Sequence, residues 1–109
     1  MALTRIEPFL PRNLVQVGSG LNRPECVLVA PDGSVYTCDW TLGIARIAPD
    51  GTTGRAIEAD LIAQGFRPNG IAMTADGDFL FANLGRAGGV WRVGPRGEVQ
   101  PFVTEVSGR

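Results

Sequence analysis

The sequence contains no histidine and no lysine, and these two absences exclude several kinds of chemistry. Without an imidazole there can be no Ser-His-Asp triad, no Cys-His pair and no histidine-rich zinc site. All ten basic residues are arginines, and they are scattered along the chain with eleven acidic residues, so no basic face for nucleic acid is predicted. Chemistry in this chain must therefore use carboxylates, amides or a metal ion.

Long apolar runs and clustered cysteines are missing as well. No stretch approaches the roughly 20 apolar residues of a membrane span, and residues 1–13 lack the apolar run of a signal peptide. Cys26 and Cys38 are twelve residues apart, unlike the close-spaced pairs of a zinc ribbon, and are interpreted as buried reduced thiols. We predict a cytoplasmic, soluble chain with no membrane partner.

Glycine and proline are abundant by contrast, with fifteen and eight residues among 109. This content favours many short elements joined by tight turns over long helices. The length corresponds to one small domain. The composition therefore predicts an all-β chain.

A repeat organises most of the sequence. The segment RPECVLVAPDGSVYTCDWTLGIARIAPDG, from Arg23, aligns with RPNGIAMTADGDFLFANLGRAGGVWRVGPRG, from Arg67. The offset is 44 residues at first and grows to 46 through two one-residue insertions. A period of roughly 40 to 45 residues is typical of the blades of a β-propeller.

Each copy of the repeat predicts four short strands separated by glycine-containing turns. The predicted strands are residues 26–30, 34–39, 43–48 and 54–58 in the first copy, and 70–74, 78–83, 89–93 and 98–103 in the second. The sequence thus predicts an all-β fold of two four-stranded antiparallel blades. Blade 1 is assigned to residues 23–66 and blade 2 to residues 67–109, within a single partial propeller domain.

The first 22 residues are predicted to add one outer strand, at 14–17, which would close a ring. A single helical turn is expected at residues 59–64, in the loop between the blades. Two blades are fewer than the roughly 4 to 8 of a complete ring, so the chain is expected to be a fragment that self-associates through exposed blade edges. A two-sheet sandwich made from the same strands is the competing architecture.

One polar residue stands just before the first strand of each copy, at matched positions after proline: Glu25 and Asn69. The innermost strands of a propeller begin around one end of its central channel, where residues at this register converge. A carboxylate and an amide oxygen are hard ligands suited to Ca²⁺, Mg²⁺ or Mn²⁺. The pair is predicted to bind a metal ion, with a capped or solvated loop position as the alternative.

Pro24-Glu25 with the Asp32-Gly33 turn, and Pro68-Asn69-Gly70-Ile71-Ala72 with the Asp76-Gly77 turn, resemble the gluconolactonase or senescence-marker-protein (regucalcin-like) family. The resemblance runs from about residue 15 to the end. It implies a six-bladed propeller that hydrolyses sugar lactones with one divalent cation, Ca²⁺ preferred and Mg²⁺, Mn²⁺ or Zn²⁺ as alternatives, and it implies that Glu25 and Asn69 are ligands.

The sequence departs from the family pattern at two points. The usual Glu-Gly-Pro opening is replaced by Pro24-Glu25-Cys26, and the family's further asparagine and its aspartate have no counterpart here. The missing aspartate is the expected base, so no catalytic residue is assigned. A fragment of a lactone hydrolase is the first hypothesis, and a non-catalytic propeller module that binds protein or ligand is the second.

Asp39 and Trp40 close the second strand of blade 1 and are predicted to form part of the substrate wall. The alternatives are a turn hydrogen bond for Asp39 and a space-filling position between blades for Trp40. If residue 30 pairs with residue 34, Cys26 lies opposite Cys38 on the neighbouring strand. A trimeric six-bladed ring, made from three copies of a two-blade chain, is a further hypothesis.

Overall fold

A computed structural model describes residues 14–107, which form eight strands. Sheet 1 contains β1 (Leu28–Val29), β2 (Val35–Asp39), β3 (Gly43–Ile47) and β4 (Thr53–Arg55). Sheet 2 contains β5 (Pro68–Met73), β6 (Phe79–Asn83), β7 (Val90–Val93) and β8 (Val99–Val103).

Each sheet is a meander in which consecutive strands pair antiparallel, in the order β1-β2-β3-β4 and β5-β6-β7-β8. The two copies have matching registers, since Val35 pairs with Ile47 in sheet 1 and Phe79 pairs with Val93 in sheet 2. The predicted fold class, all-β with two four-stranded antiparallel blades, is confirmed.

The outward faces of the sheets distinguish blades from a sandwich. In a sandwich, the strand residues that face away from the core are mostly polar. Here the outward side of sheet 1 carries Val29 beside Val35, and the outward side of sheet 2 carries Leu80 beside Ala82. Both faces of each sheet are therefore apolar, as stacked blades require.

Two predicted strands are shorter than expected. The first strand of blade 1 is reduced to Leu28–Val29 because the Cys38 backbone N–H donates to the Cys26 Sγ, at 3.4 Å, instead of to a carbonyl of the neighbouring strand. β4 ends at Arg55 because the chain then turns to bury Ile57, which is 2% exposed, in the core.

The outer strand predicted at residues 14–17 was expected to close a ring with another blade, and within the described chain this prediction is not tested. These residues adopt no strand, and Leu14, Val15 and Val17 are 68%, 85% and 56% exposed. A strand requires a neighbouring edge for its backbone hydrogen bonds, and no strand among residues 14–107 pairs with this segment.

The turn expected near residues 59–64 is present as one turn and does not extend into a helix. Gln64 N–H donates to the Asp60 carbonyl at 3.2 Å, and the Asp60 carboxylate accepts from the Ala63 N–H at 3.0 Å. Gly65 ends the turn with a φ of +94°, a conformation that glycine adopts without strain. Within residues 14–107 no helix has the length and apolar character needed to cross a bilayer.

The core lies between the two sheets and includes the run that connects them. Ile44 from sheet 1 packs with Phe79, Phe81 and Val93 from sheet 2, and Leu61 from the connecting run is fully buried among them. Aromatic edges join these parts: the Tyr36 ring is 5.1 Å from that of Phe79. The two blades are therefore held together by one shared core.

Candidate functional site

Asp39, at the end of β2, is fully buried and accepts three backbone hydrogen bonds. One carboxylate oxygen accepts from the N–H groups of Thr41 and Leu42, each at 2.7 Å, and the other accepts from Asn22 N–H at 2.7 Å. Asp39 thus ties the β2–β3 turn to the run before β1. The bonds to Thr41 and Leu42 are turn hydrogen bonds, the alternative to a substrate-wall position that the sequence offered for Asp39.

Asn83 holds the same position in sheet 2. Its side-chain oxygen accepts from the N–H groups of Arg67 and Gly85, at 2.9 and 2.8 Å, and its amide nitrogen donates to the Gly88 carbonyl at 3.1 Å. Sequence reasoning missed Asn83, although it stands 44 residues after Asp39 and so is its repeat equivalent. Both copies of the repeat therefore place a buried polar side chain, at the end of the second strand, that accepts hydrogen bonds from nearby backbone N–H groups.

Trp40 lies where the two sheets meet. Its indole N–H donates to the carbonyl of Pro68 at 3.2 Å, and Pro68 is the first residue of β5. Its ring is covered by the Arg23 guanidinium, whose carbon is 4.2 Å from the ring centroid, a cation–π contact. Trp40 is half-buried and links the end of β2 to the start of β5.

Glu25 lies three residues before β1 and its side chain is 49% exposed. One of its carboxylate oxygens is 3.5 Å from a guanidinium nitrogen of Arg23. Arg23 has a φ of +57°, which is uncommon for a residue other than glycine. Sequence reasoning did not single out Arg23, although it opens the first copy of the repeat and aligns with Arg67 in the second.

Asn69 lies in an irregular part of β5. Pro68 pairs with Asn83 and Ile71 pairs with Phe81, so the register shifts between them and Asn69 sits in a bulge. Bulges turn a side chain away from the regular alternation of a strand and are enriched beside functional sites. Asn69 is half-buried at this position.

The structure therefore connects three of the four predicted site residues, Glu25, Trp40 and Asn69, through one series of contacts. Glu25 contacts Arg23, Arg23 stacks on Trp40, and Trp40 bonds to the residue that precedes Asn69. Asp39 adjoins Trp40 in sequence but its carboxylate is directed to backbone amides. Its predicted place in a substrate wall, like that of Trp40, stays a prediction.

The donor set tests whether this region can hold a metal ion. Residues 14–107 contain no cluster of three or more acidic, cysteine or histidine side chains. Glu25 and Asn69 provide one carboxylate and one amide, whereas Ca²⁺ takes about 6–8 oxygen ligands. The Arg23 guanidinium also neutralises Glu25. These residues by themselves do not fit a complete cation site.

The two cysteines lie side by side, as the register predicted. Both thiols are free, and the Cys38 Sγ contacts the Arg23 carbonyl at 3.7 Å. Burial raises the pKa of the Cys38 thiol above its ordinary value, so Cys38 is protonated at neutral pH. A protonated, fully buried thiol is a poor nucleophile.

A scan of protein-family models and a search of curated proteins found no match to this chain. The resemblance to propeller lactonases therefore rests on the residues quoted above.

Proposed function

We propose that this chain forms two blades of a propeller lactone hydrolase, in which Glu25 and Asn69 are two of the oxygen ligands of a divalent cation. The observation that supports the proposal is positional. Glu25 precedes the first strand of sheet 1, Asn69 lies at the start of the first strand of sheet 2, and Trp40 connects the two points.

The proposal requires further blades, because one carboxylate and one amide are too few for the cation. Bound at such a site, the cation would polarise the lactone carbonyl as a Lewis acid. The bulge in β5 sets the direction of Asn69, and Glu25 is paired with Arg23 in a half-exposed ion pair that would have to open for Glu25 to bind the cation. No catalytic base is assigned to this chain.

Cation-dependent lactone hydrolysis is the direct test. The purified full chain is assayed with D-glucono-δ-lactone by titrating the acid released, with Ca²⁺, Mn²⁺ or Zn²⁺ added or removed by chelator. We expect Glu25→Gln to lower cation affinity and cation-dependent rate by more than about tenfold, since loss of a group that merely supports a ligand already costs that much. Asn69→Ala should act in the same direction.

Glu58→Gln is the matched control, because Glu58 is an exposed carboxylate in the connecting run, outside the Glu25–Asn69 region. It should leave cation affinity and rate unchanged. Because the site requires further blades, the decisive comparison is made on assemblies of the chain that bind the cation. Cation affinity and cation-dependent rate that stay unchanged in both Glu25→Gln and Asn69→Ala would contradict the proposal.

A non-catalytic propeller module that binds protein or ligand is the second candidate function. It is favoured by the exposed apolar side chains on the outward side of sheet 1, where Val27 and Val29 are 71% and 68% exposed. Under this alternative, Glu25→Gln leaves partner binding and folding unchanged, and a charged residue at Val27 abolishes partner binding.

A further inference from the structure

Each sheet has one face that packs against the other sheet and one that does not. Tyr36 contacts Phe79, so the side of β2 that carries Tyr36 faces sheet 2, and alternation along the strand turns Val35 and Thr37 to the opposite side. We name this opposite side the free face of sheet 1, formed by Val27, Val29, Val35, Thr37 and Ile47.

The free face of sheet 2 is formed by Ala72, Leu80, Ala82 and Val90, which line an open apolar cleft of about 340 Å³ on the side away from sheet 1. Phe79 and Phe81, which alternate with Leu80, are directed into the shared core. The two free faces therefore lie on opposite sides of the two-sheet unit.

The repeat relates the free faces to the faces that are already packed. At the offset of 44 to 46 residues, Leu80, Ala82 and Val90 correspond to Tyr36, Cys38 and Ile44, which face sheet 2 within the chain. The free face of sheet 2 is thus the repeat copy of the packed face of sheet 1.

The converse also holds. Val35, Thr37 and Ile47 correspond to Phe79, Phe81 and Val93, which face sheet 1 within the chain. The free face of sheet 1 is thus the repeat copy of the packed face of sheet 2. Inside the chain, one face of each kind packs against the other, between sheets 1 and 2. The two free faces are one further face of each kind, and they lie at opposite sides of the two-sheet unit.

The segments that precede the two sheets also occupy equivalent faces, one packed and one free. Residues 61–66 lie on the packed face of sheet 2, where Leu61 is fully buried and borders Gly43 of sheet 1. Residues 16–21 lie on the free face of sheet 1, where Gly18 borders Ile47 and Leu21 lines the same cleft as Val35. Val17 in this run is 56% exposed, because no sheet within residues 14–107 covers it.

We propose that this chain associates head to tail with a second copy of itself, with the free face of sheet 2 of one copy packed against the free face of sheet 1 of the next. The contact continues the interface between sheets 1 and 2. Because the two faces differ, the association is heterologous and closes into a ring of roughly two to four copies if the blade number is that of known propellers. The inference does not depend on lactone or cation chemistry.

The test is the mass of the full chain by sedimentation velocity and light scattering, with one charge placed on each free face. Val29→Glu alters the free face of sheet 1, and Ala82→Glu alters the free face of sheet 2. Thr52→Glu, in an exposed turn, is the control. Circular dichroism verifies that each variant keeps its strands. We expect the unaltered chain and Thr52→Glu to form assemblies of at least two copies, and each free-face variant alone to be monomeric.

Mixing the two free-face variants distinguishes head-to-tail association from a symmetric dimer. Each variant retains one intact free face, and the intact faces are complementary, so an equimolar mixture should form a 1:1 dimer that grows no further. A monomeric unaltered chain would overturn the proposal. Assemblies that survive both substitutions, or a mixture that stays monomeric, would overturn it as well.

Discussion

At the scale of single residues, the chain places its most constrained polar groups at the ends of β2 and β6. Asp39 is completely buried and its carboxylate has three backbone donors, which offset the cost of removing a charge from water. Asn83 differs from Asp39 in that its side chain must also donate a hydrogen bond, since its amide nitrogen bonds to the Gly88 carbonyl. A carboxylate has no such donor. The two residues are therefore not interchangeable despite their equivalent positions.

We predict that Asp39→Ala lowers the free energy of unfolding by about 3 kcal/mol or more, because it leaves three backbone N–H groups without their acceptor in a buried site. Urea denaturation followed by circular dichroism measures the change. Asp50→Ala is the matched control, since Asp50 is exposed and accepts one backbone N–H, from Thr52 at 2.9 Å. Equal losses in the two variants would contradict the structural role assigned to Asp39.

At the scale of elements, four tight turns share one construction. Gly33, Gly51, Gly77 and Gly97 have φ values of +90°, +92°, +88° and +93°, and each donates its N–H to the carbonyl three residues earlier. These turns join β1 to β2 and β3 to β4 in sheet 1, and the corresponding strands in sheet 2. The positive φ is required for the close antiparallel return, and glycine is the residue that adopts it without a steric penalty.

We predict that Gly77→Ala costs about 1–2 kcal/mol of stability through backbone strain alone, because a Cβ at this position would meet no atom within 4 Å. Gly54→Ala is the control, because it replaces a glycine by alanine without imposing a positive φ on the new residue. Gly54 lies in β4 without a positive φ, and its Cβ would also meet no atom within 4 Å. It should be neutral or slightly stabilising in thermal denaturation; equal destabilisation by both substitutions would contradict the prediction.

At the scale of the whole molecule, stability depends on the contact between the sheets. Ile44 contributes from sheet 1, Phe81 from sheet 2, and Leu61 from the run between them. Trp40 adds a polar link through its hydrogen bond to Pro68. Neither sheet has this core without the other, so the two sheets should fold as one cooperative unit.

We predict that Leu61→Ala lowers the free energy of unfolding by about 2–5 kcal/mol, through lost burial and the cavity that remains. The transition should stay single, with tryptophan fluorescence and far-ultraviolet circular dichroism changing together. Val15→Ala is the control: Val15 is 85% exposed, so the change should stay within about 0.5 kcal/mol. Two separate transitions would show that the sheets unfold independently.

The sequence by itself determined the repeat, the all-β class, the two four-stranded meanders and the register that brings Cys26 beside Cys38. These features depend on local patterns, namely alternation along strands and glycine at the tight turns, and such patterns are visible in one dimension. The polar pair Glu25 and Asn69 was found in the same way, because equivalent positions in a repeat can be compared directly.

Only the tertiary structure decided what each side chain contacts. Residues 14–17 alternate well enough for a strand but have no neighbouring edge in the described chain, and strand formation depends on that neighbour. Asp39 and Trp40 have polar and aromatic character that suits a binding site, yet the fold directs the first to backbone amides and the second to Pro68. Which face of each sheet is covered was decided by the packing between sheets, because alternation separates the two faces of a strand without showing which one meets a partner.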